Sequence, residues 1–129
     1  MPTPPLKPAL EFFDVSSLPR KSVAGVPGLF ERILSGDPDT GDYTRCLYLE
    51  PGCDTSAMGV QRHEFWEEVW IISGSFHDIS LDQTFTAGMY ACRPPGMPHG
   101  PWRTREGCTT FEIRYRKPQE PVGETQLER

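Results

Sequence analysis

The sequence predicts an all-β domain, one antiparallel barrel or jelly roll, and three observations carry that expectation. The 129 residues include 12 glycines and 14 prolines, residue types that interrupt long helices and favour tight turns. From Leu29 onward, short apolar runs are separated by turn residues every 8 to 12 positions or so, the rhythm of a many-stranded fold. The run Cys108–Arg116 alternates strictly, with Phe111, Ile113 and Tyr115 on one face and Thr110, Glu112, Arg114 and Arg116 on the other. No stretch shows three turns of helical periodicity, and there is no repeat and no interdomain linker.

In order along the chain, residues 1–27 read as an N-terminal arm. The arm carries six of the prolines and two apolar patches, Leu10-Phe12-Phe13 and Val15 to Leu18. Such a segment packs along a sheet edge, lies on a neighbouring subunit or stays unordered. Residues 28–117 form the barrel. Its expected strands are Leu29–Leu34, Tyr43–Leu49, Met58–His63, Val69–Ile72 leading to Gly74, Phe76–Leu81, Phe85–Arg93 and Cys108–Arg116. The clusters Ser35-Gly36-Asp37-Pro38-Asp39, Pro51-Gly52 and Pro94-Pro95-Gly96 supply the turns. Residues 118–129 form a polar tail.

Composition excludes some functions. The net charge is −5, with no run of Lys or Arg, whereas nucleic-acid binding draws on positive charge that displaces counterions. No apolar stretch approaches the roughly 20 residues that span a bilayer, and Met1–Pro8 lacks an apolar signal core. A membrane partner is therefore not expected. The four cysteines, Cys46, Cys53, Cys92 and Cys108, form no C-x-x-C pair, and in an unexported chain they are expected to be reduced and buried. The expectation is a cytoplasmic protein whose partner is a small molecule. A chain of this length buries about two-thirds of its unfolded surface, so it folds without a disulfide or metal staple.

Chemistry concentrates around two of the three histidines. Gln61 and His63 are two apart and share one face of an extended segment. A bend near Phe65-Trp66 would return Glu67 to the same side, and His99 arrives from another strand behind the Pro-Pro-Gly turn. Two imidazoles and one carboxylate from separate strands make a set that binds Fe, Mn, Zn, Ni or Co and leaves positions open for substrate. His77 lies outside this pattern, as a surface or core residue, and Glu68 should face away from Glu67 into solvent.

These residues resemble the cupin superfamily. Gln61-x-His63-x3-Glu67-x6-Gly74 is similar to the first cupin motif, with glutamine in the place of its first histidine. Gly88-x5-Pro94-x-Gly96-x2-His99 matches the second motif without a gap. Together the motifs cover Gln61 to His99, and the strand pattern extends the likeness from Leu29 to Arg116. The resemblance implies a double-stranded β-helix that holds one divalent metal ion, Fe(II) above all but also Zn, Mn, Ni or Co. Its ligands would be His63, Glu67 and His99, with Gln61 as a weak fourth ligand or as a hydrogen-bond partner of a metal-bound water. Arg103 stands where the second motif usually has asparagine. Glu67 could also leave the metal and act as the catalytic base.

Met97, Trp102 and Arg103 flank His99 and are candidates for substrate binding. Trp102 would be an apolar wall, and Arg103 or Arg93 a bidentate holder of a carboxylate or enolate oxygen. Which face of Met89–Arg93 lines the cavity stays open. Small single-motif cupins include diketone- and hydroxyacetophenone-cleaving dioxygenases, so the implied function is C–C cleavage of a small oxygenated molecule. A non-redox isomerase or lyase, or a non-catalytic sensor like the anti-sigma factor cupin domains, is the alternative. A sensor of that kind needs a helical domain before the barrel, which a 27-residue arm is not expected to supply. Trp66, Trp70 and Ile72 share the face opposite His63, where cupins pack a second subunit, so a homodimer is expected.

Overall fold

In the computed structural model, which describes residues 7–116, strands dominate. They are β1 (Lys21–Ser22), β2 (Leu29–Asp37), β3 (Asp42–Leu49), β4 (Trp66–Asp78), β5 (Gln83–Thr86), β6 (Tyr90–Arg93), β7 (Trp102–Arg103) and β8 (Cys108–Tyr115), with two single turns of 3-10 helix at Val15–Ser17 and Ser56–Met58. The main sheet runs β1-β2-β3-β8-β4-β5, and β6 and β7 also pair with β4. All these pairings are antiparallel. The result is the all-β jelly-roll barrel that the turn rhythm predicts.

β4 is the spine. Its first half pairs with β8 and β6, and its second half with β5 and β7. The sequence suggested two strands broken at Gly74, but the strand is continuous, with an irregular register between Ile71 and Ser73 where it crosses from one sheet to the other. Gly74 sits there at φ +76, and a Cβ on it would meet the Gly107 carbonyl oxygen at 2.0 Å. Only glycine permits both that backbone and that approach. The expected strand Met58–His63 reduces to a single bridge, Gln61 to His99, because the chain leaves a 3-10 turn at Met58 and bends again at Glu64-Phe65.

The interior has an apolar end and a charged end. The apolar end holds Val26, Leu29, Leu47, Leu49, Cys53, Ile71, Phe76 and Cys108, with Val23, Met58, Phe85 and Trp102 packed against it. Each large apolar side chain fully buried there contributes about 1.5–3 kcal/mol. Val23 and Val26 come from the arm, and β1 pairs with the edge of β2, so this part of the arm is built onto the sheet. Three of the four cysteines are buried and Cys92 is exposed, because it alternates with the inward Ala91 and Arg93 on β6.

The charged end comes from β8. Its inward residues are Cys108, Thr110 and Glu112, all buried, followed by Arg114. The apolar set Phe111, Ile113 and Tyr115 therefore faces outward, towards Trp66, Trp70 and Ile72 of β4. Trp66 stacks on Tyr115, while Trp70 and Ile72 remain about half exposed.

Candidate metal centre

Three elements bring His63, Glu67 and His99 together. Glu67 is an inward residue of β4, in register with Val69 and Ile71, and is 2% exposed. His63 lies before the bend at Glu64-Phe65, its ring stacked on Phe65 at 4.6 Å between centroids. His99 is fixed by a pair of backbone bonds to Gln61, Gln61 N–H to His99 carbonyl at 2.8 Å and His99 N–H to Gln61 carbonyl at 3.0 Å. The turn before it has Pro95 and Gly96 as its central residues. Gly96 sits at φ +84, and the Met97 N–H donates to the Pro94 carbonyl at 3.1 Å. Proline then glycine is what a turn with positive φ at its third position requires.

The donor atoms face one another. His99 Nδ1 donates to the Met97 carbonyl at 3.3 Å, which leaves Nε2 as the lone pair, 3.7 Å from Glu67 Oε1. His63 Nε2 is 4.0 Å from Glu67 Oε2 and is buried with no hydrogen-bond partner among the described residues. Donor atoms of the three residues all lie within 4.8 Å of one another. Two donors bound at about 2.1 Å to one ion stand at most about 4.2 Å apart, and the two contacts with Glu67, 4.0 and 3.7 Å, meet that limit.

Protonation suits a cation. Burial first, then the Arg114 guanidinium, pushes His63 down to about 4. Burial likewise lowers His99, against the pull of Glu67. At neutral pH both rings are uncharged, so their contacts with Glu67 are not ion pairs. For Glu67, burial alone would raise the pKa, but Arg114, His99 and Arg93 together bring it down to about 2. Two neutral imidazoles beside an ionised carboxylate fit a divalent ion, and the buried His63 Nε2 has no partner among the described residues that would compete for its lone pair.

The sequence reading missed the carboxylate's own partners. Arg93 Nη1 donates to Glu67 Oε1 at 3.0 Å, and Arg114 Nε donates to Oε2 at 2.7 Å. Arg114 also donates to the Tyr43 hydroxyl at 2.6 Å. Arg45 Nε donates to Glu112 at 2.8 Å and its Nη1 to Glu31 at 2.7 Å. An ionised carboxylate has about four acceptor sites on its two oxygens, so Glu67 keeps room for an ion. The two guanidiniums nevertheless reduce its pull on one. The signal for Arg114 was present in the strict alternation of β8, which placed Arg114 with Glu112 without saying that this face points inward.

The remaining predicted site residues divide. Gln61 lines a cavity of about 90 Å³ together with His63, His99, Trp102 and Arg114. Its amide nitrogen donates to the Met58 carbonyl at 2.9 Å, which leaves the amide oxygen as the free acceptor. Trp102 stacks on His99 at 5.5 Å, and its buried indole N–H has no partner among the described residues, so it offers a donor as well as an apolar wall. Met97 borders a second cavity that also includes His99. Arg103 does not join the cluster. Alternation in β7 turns Trp102 inward and Arg103 outward, where it lines an open depression with His77, Thr84 and Arg105. Arg93 occupies the guanidinium position beside the site instead. Glu68 faces outward as expected and accepts from the Tyr90 and Tyr115 hydroxyls.

An all-β jelly roll with two histidines and a glutamate converging inside it defines a cupin. More particularly, the chain belongs to the ChrR cupin-like domain family, whose model matches residues 11–116. Solved structures similar to it include an RmlC-like cupin from Shewanella frigidimarina, 17% identical over 84% of this chain and 92% of that one, TM-score 0.64. The polyketide cyclase RemF from Streptomyces resistomycificus is 18% identical over 90% and 87%, TM-score 0.65. An acetylacetone dioxygenase from Acinetobacter johnsonii is 16% identical over 81% and 73%, TM-score 0.64. At these identities the likeness is one of fold. No curated protein sequence matches the chain.

Proposed function

We propose that this protein is a metal-dependent cupin enzyme, a dioxygenase that cleaves a C–C bond in a small oxygenated molecule such as a diketone or hydroxyketone. The observation that carries the reading is the buried, unpartnered His63 Nε2 facing Glu67 and His99. His63, His99 and Glu67 would hold the ion. A divalent ion there supplies Lewis acidity towards adjacent substrate oxygens, and iron(II) would add dioxygen chemistry. The similarity of fold to an acetylacetone dioxygenase supports the oxidative reading.

The protein's own residues account for the rest. The Met97 carbonyl fixes the His99 tautomer so that Nε2 is the ligand atom. Arg93 and Arg114 hold Glu67 in place and ionised. The Trp102 N–H and the Gln61 amide oxygen give the 90 Å³ cavity a donor and an acceptor for an oxygen-bearing group. The test is metal analysis of protein purified without chelators, paired with oxygen uptake against β-diketones and hydroxyketones. Near-stoichiometric iron with substrate-dependent uptake supports the dioxygenase.

One observation favours a second reading. Both oxygens of Glu67 carry arginine bonds, which weakens the only anionic ligand of the site. Metal without oxygen uptake on any member of the panel would favour a non-redox isomerase or lyase, or a sensor that binds without turnover.

A further inference from the structure

A second cavity, about 170 Å³, lies on the other side of His99. Its walls are apolar and partly aromatic: Ile71, Phe76, Phe85, Ala91, Met89 and Met97 all face it. Phe76 and Phe85 meet edge-to-face, with centroids 6.2 Å apart. An apolar cavity of about 150 Å³ stays dry and takes up benzene, so the space here suits a single six-membered ring. Two methionines and two phenylalanines favour an aromatic ring over an aliphatic one, through sulfur and edge contacts. Leu81, Met89 and Met97 are exposed beside the cavity, and apolar side chains left in water around an opening mark a binding site better than a packing defect.

Two charged groups in the same wall give the cavity a direction. Arg93 is nearly buried, with 11% of its side chain exposed. Its guanidinium has five N–H donors, and only Nη1 is bonded among the described residues. Asp78 is 2% exposed and accepts from the Leu81 N–H at 2.9 Å. Both border this cavity, Arg93 from β6 where it pairs with β4 at Glu67 and Asp78 from the last position of β4. A ligand with one anionic oxygen function sets it on the donors of Arg93, and the Asp78 carboxylate in the same lining disfavours a second anion.

We propose that this cavity binds a monocyclic aromatic compound bearing one anionic oxygen function, a carboxylate or an enolate, with the ring against the wall that Phe76 and Phe85 form and the oxygens on the free donors of Arg93. As a substrate pocket it rests on the metal-enzyme reading above. As a binding site it does not.

The test is calorimetric titration of the full chain, with and without cobalt(II), using benzoate, 4-hydroxybenzoate, terephthalate, acetate and benzyl alcohol as probes. Benzoate and 4-hydroxybenzoate should bind, while acetate, which lacks the ring, and terephthalate, which carries a second anion, should be much weaker. R93Q should weaken benzoate about tenfold to a hundredfold, the range for one charge-assisted contact, and leave benzyl alcohol unchanged. A91L, which fills the space, should weaken both. If A91L does not fold, M97W at the rim replaces it, with the fold checked by circular dichroism. The proposal is overturned if benzoate does not bind, if acetate binds as well as benzoate, or if R93Q and the cavity-filling variant both bind benzoate like the parent. Cobalt separates the two readings. Arg93-dependent benzoate binding without any cobalt binding would sink the metal enzyme and keep this site, and cobalt binding without benzoate would do the reverse.

Discussion

Acidifying the metal-free protein from about pH 7.5 to about pH 4.5 should cost roughly 2–3 kcal/mol of stability through His63 alone. Burial, with Arg114 second, holds the folded imidazole down to about 4 from 6.5, and its side chain is only 18% exposed. Between those two values the unfolded chain binds a proton that the folded chain does not. Stability is therefore complete above about pH 6.5 and falls by about 1.4 kcal/mol per unit until about pH 4. His99 is shifted in the same direction and adds to the loss. Glu67, lowered from 4.5 to about 2, contributes stability that is present above about pH 4.5 and lost only below it, outside this window. Urea unfolding in EDTA at several pH values, for the parent and for H63Q, measures the effect. The parent should lose stability more steeply than H63Q by the stated amount. Parallel pH profiles for the two proteins would refute the linkage.

Three further outcomes are expected. In chelating-dye competition, Q61H should tighten divalent-metal binding and Q61A should loosen it by about tenfold to a hundredfold, while H63A and H99A should lose it almost entirely; a Q61A as damaging as the histidine variants would make Gln61 a true ligand. Replacing buried Arg45 by methionine leaves Glu31 and Glu112 without their shared cation and should cost about 3–5 kcal/mol in urea unfolding; a neutral result would mean that the network relaxes into water. The outward strip of Trp70, Ile72 and Tyr90, with Phe12 of the arm, is exposed in the single chain, and we propose that a second copy covers it. Sedimentation at micromolar concentration should give about twice 14.6 kDa, and a monomer would overturn that expectation.

Much of the site was legible because its spacing is dictated by backbone geometry. Glu67 and Gly74 are tied by one strand that must turn a corner, and His99 by a proline-glycine turn that has few conformations, so residue type and interval together located them. What was not legible is the sign of an alternation. A period of two says that Phe111 and Glu112 face opposite ways, but only the packing of β8 between β3 and β4 decides which of them faces inward. The usual preference for apolar interiors would have chosen Phe111, and here the charged residue is the buried one. The same limit applied to Trp102 and Arg103, and to the Met89–Arg93 segment. The continuity of β4 was hidden for another reason: glycine reads as a break, whereas here it lets one strand pass from sheet to sheet.

The charged end of the barrel constrains what can bind there. Arg45, Arg93 and Arg114 face Glu31, Glu67 and Glu112, each charge paired with at least one of opposite sign, so the cage is neutral as it stands. Burying net charge in a low-dielectric interior is costly unless it is paired. A divalent ion on His63, His99 and Glu67 would bring two positive charges into a neutral cage, with two uncharged ligands and a carboxylate already engaged by arginines. An anionic partner entering with the ion offsets one of its two charges, and Arg93 stands between the ion's carboxylate and the aromatic cavity. Metal and anion should then bind cooperatively, each raising the affinity of the other by the same factor. Titrating cobalt(II) with and without benzoate measures that factor. A ratio of one would mean that water or hydroxide, not the anionic ligand, balances the charge of the ion.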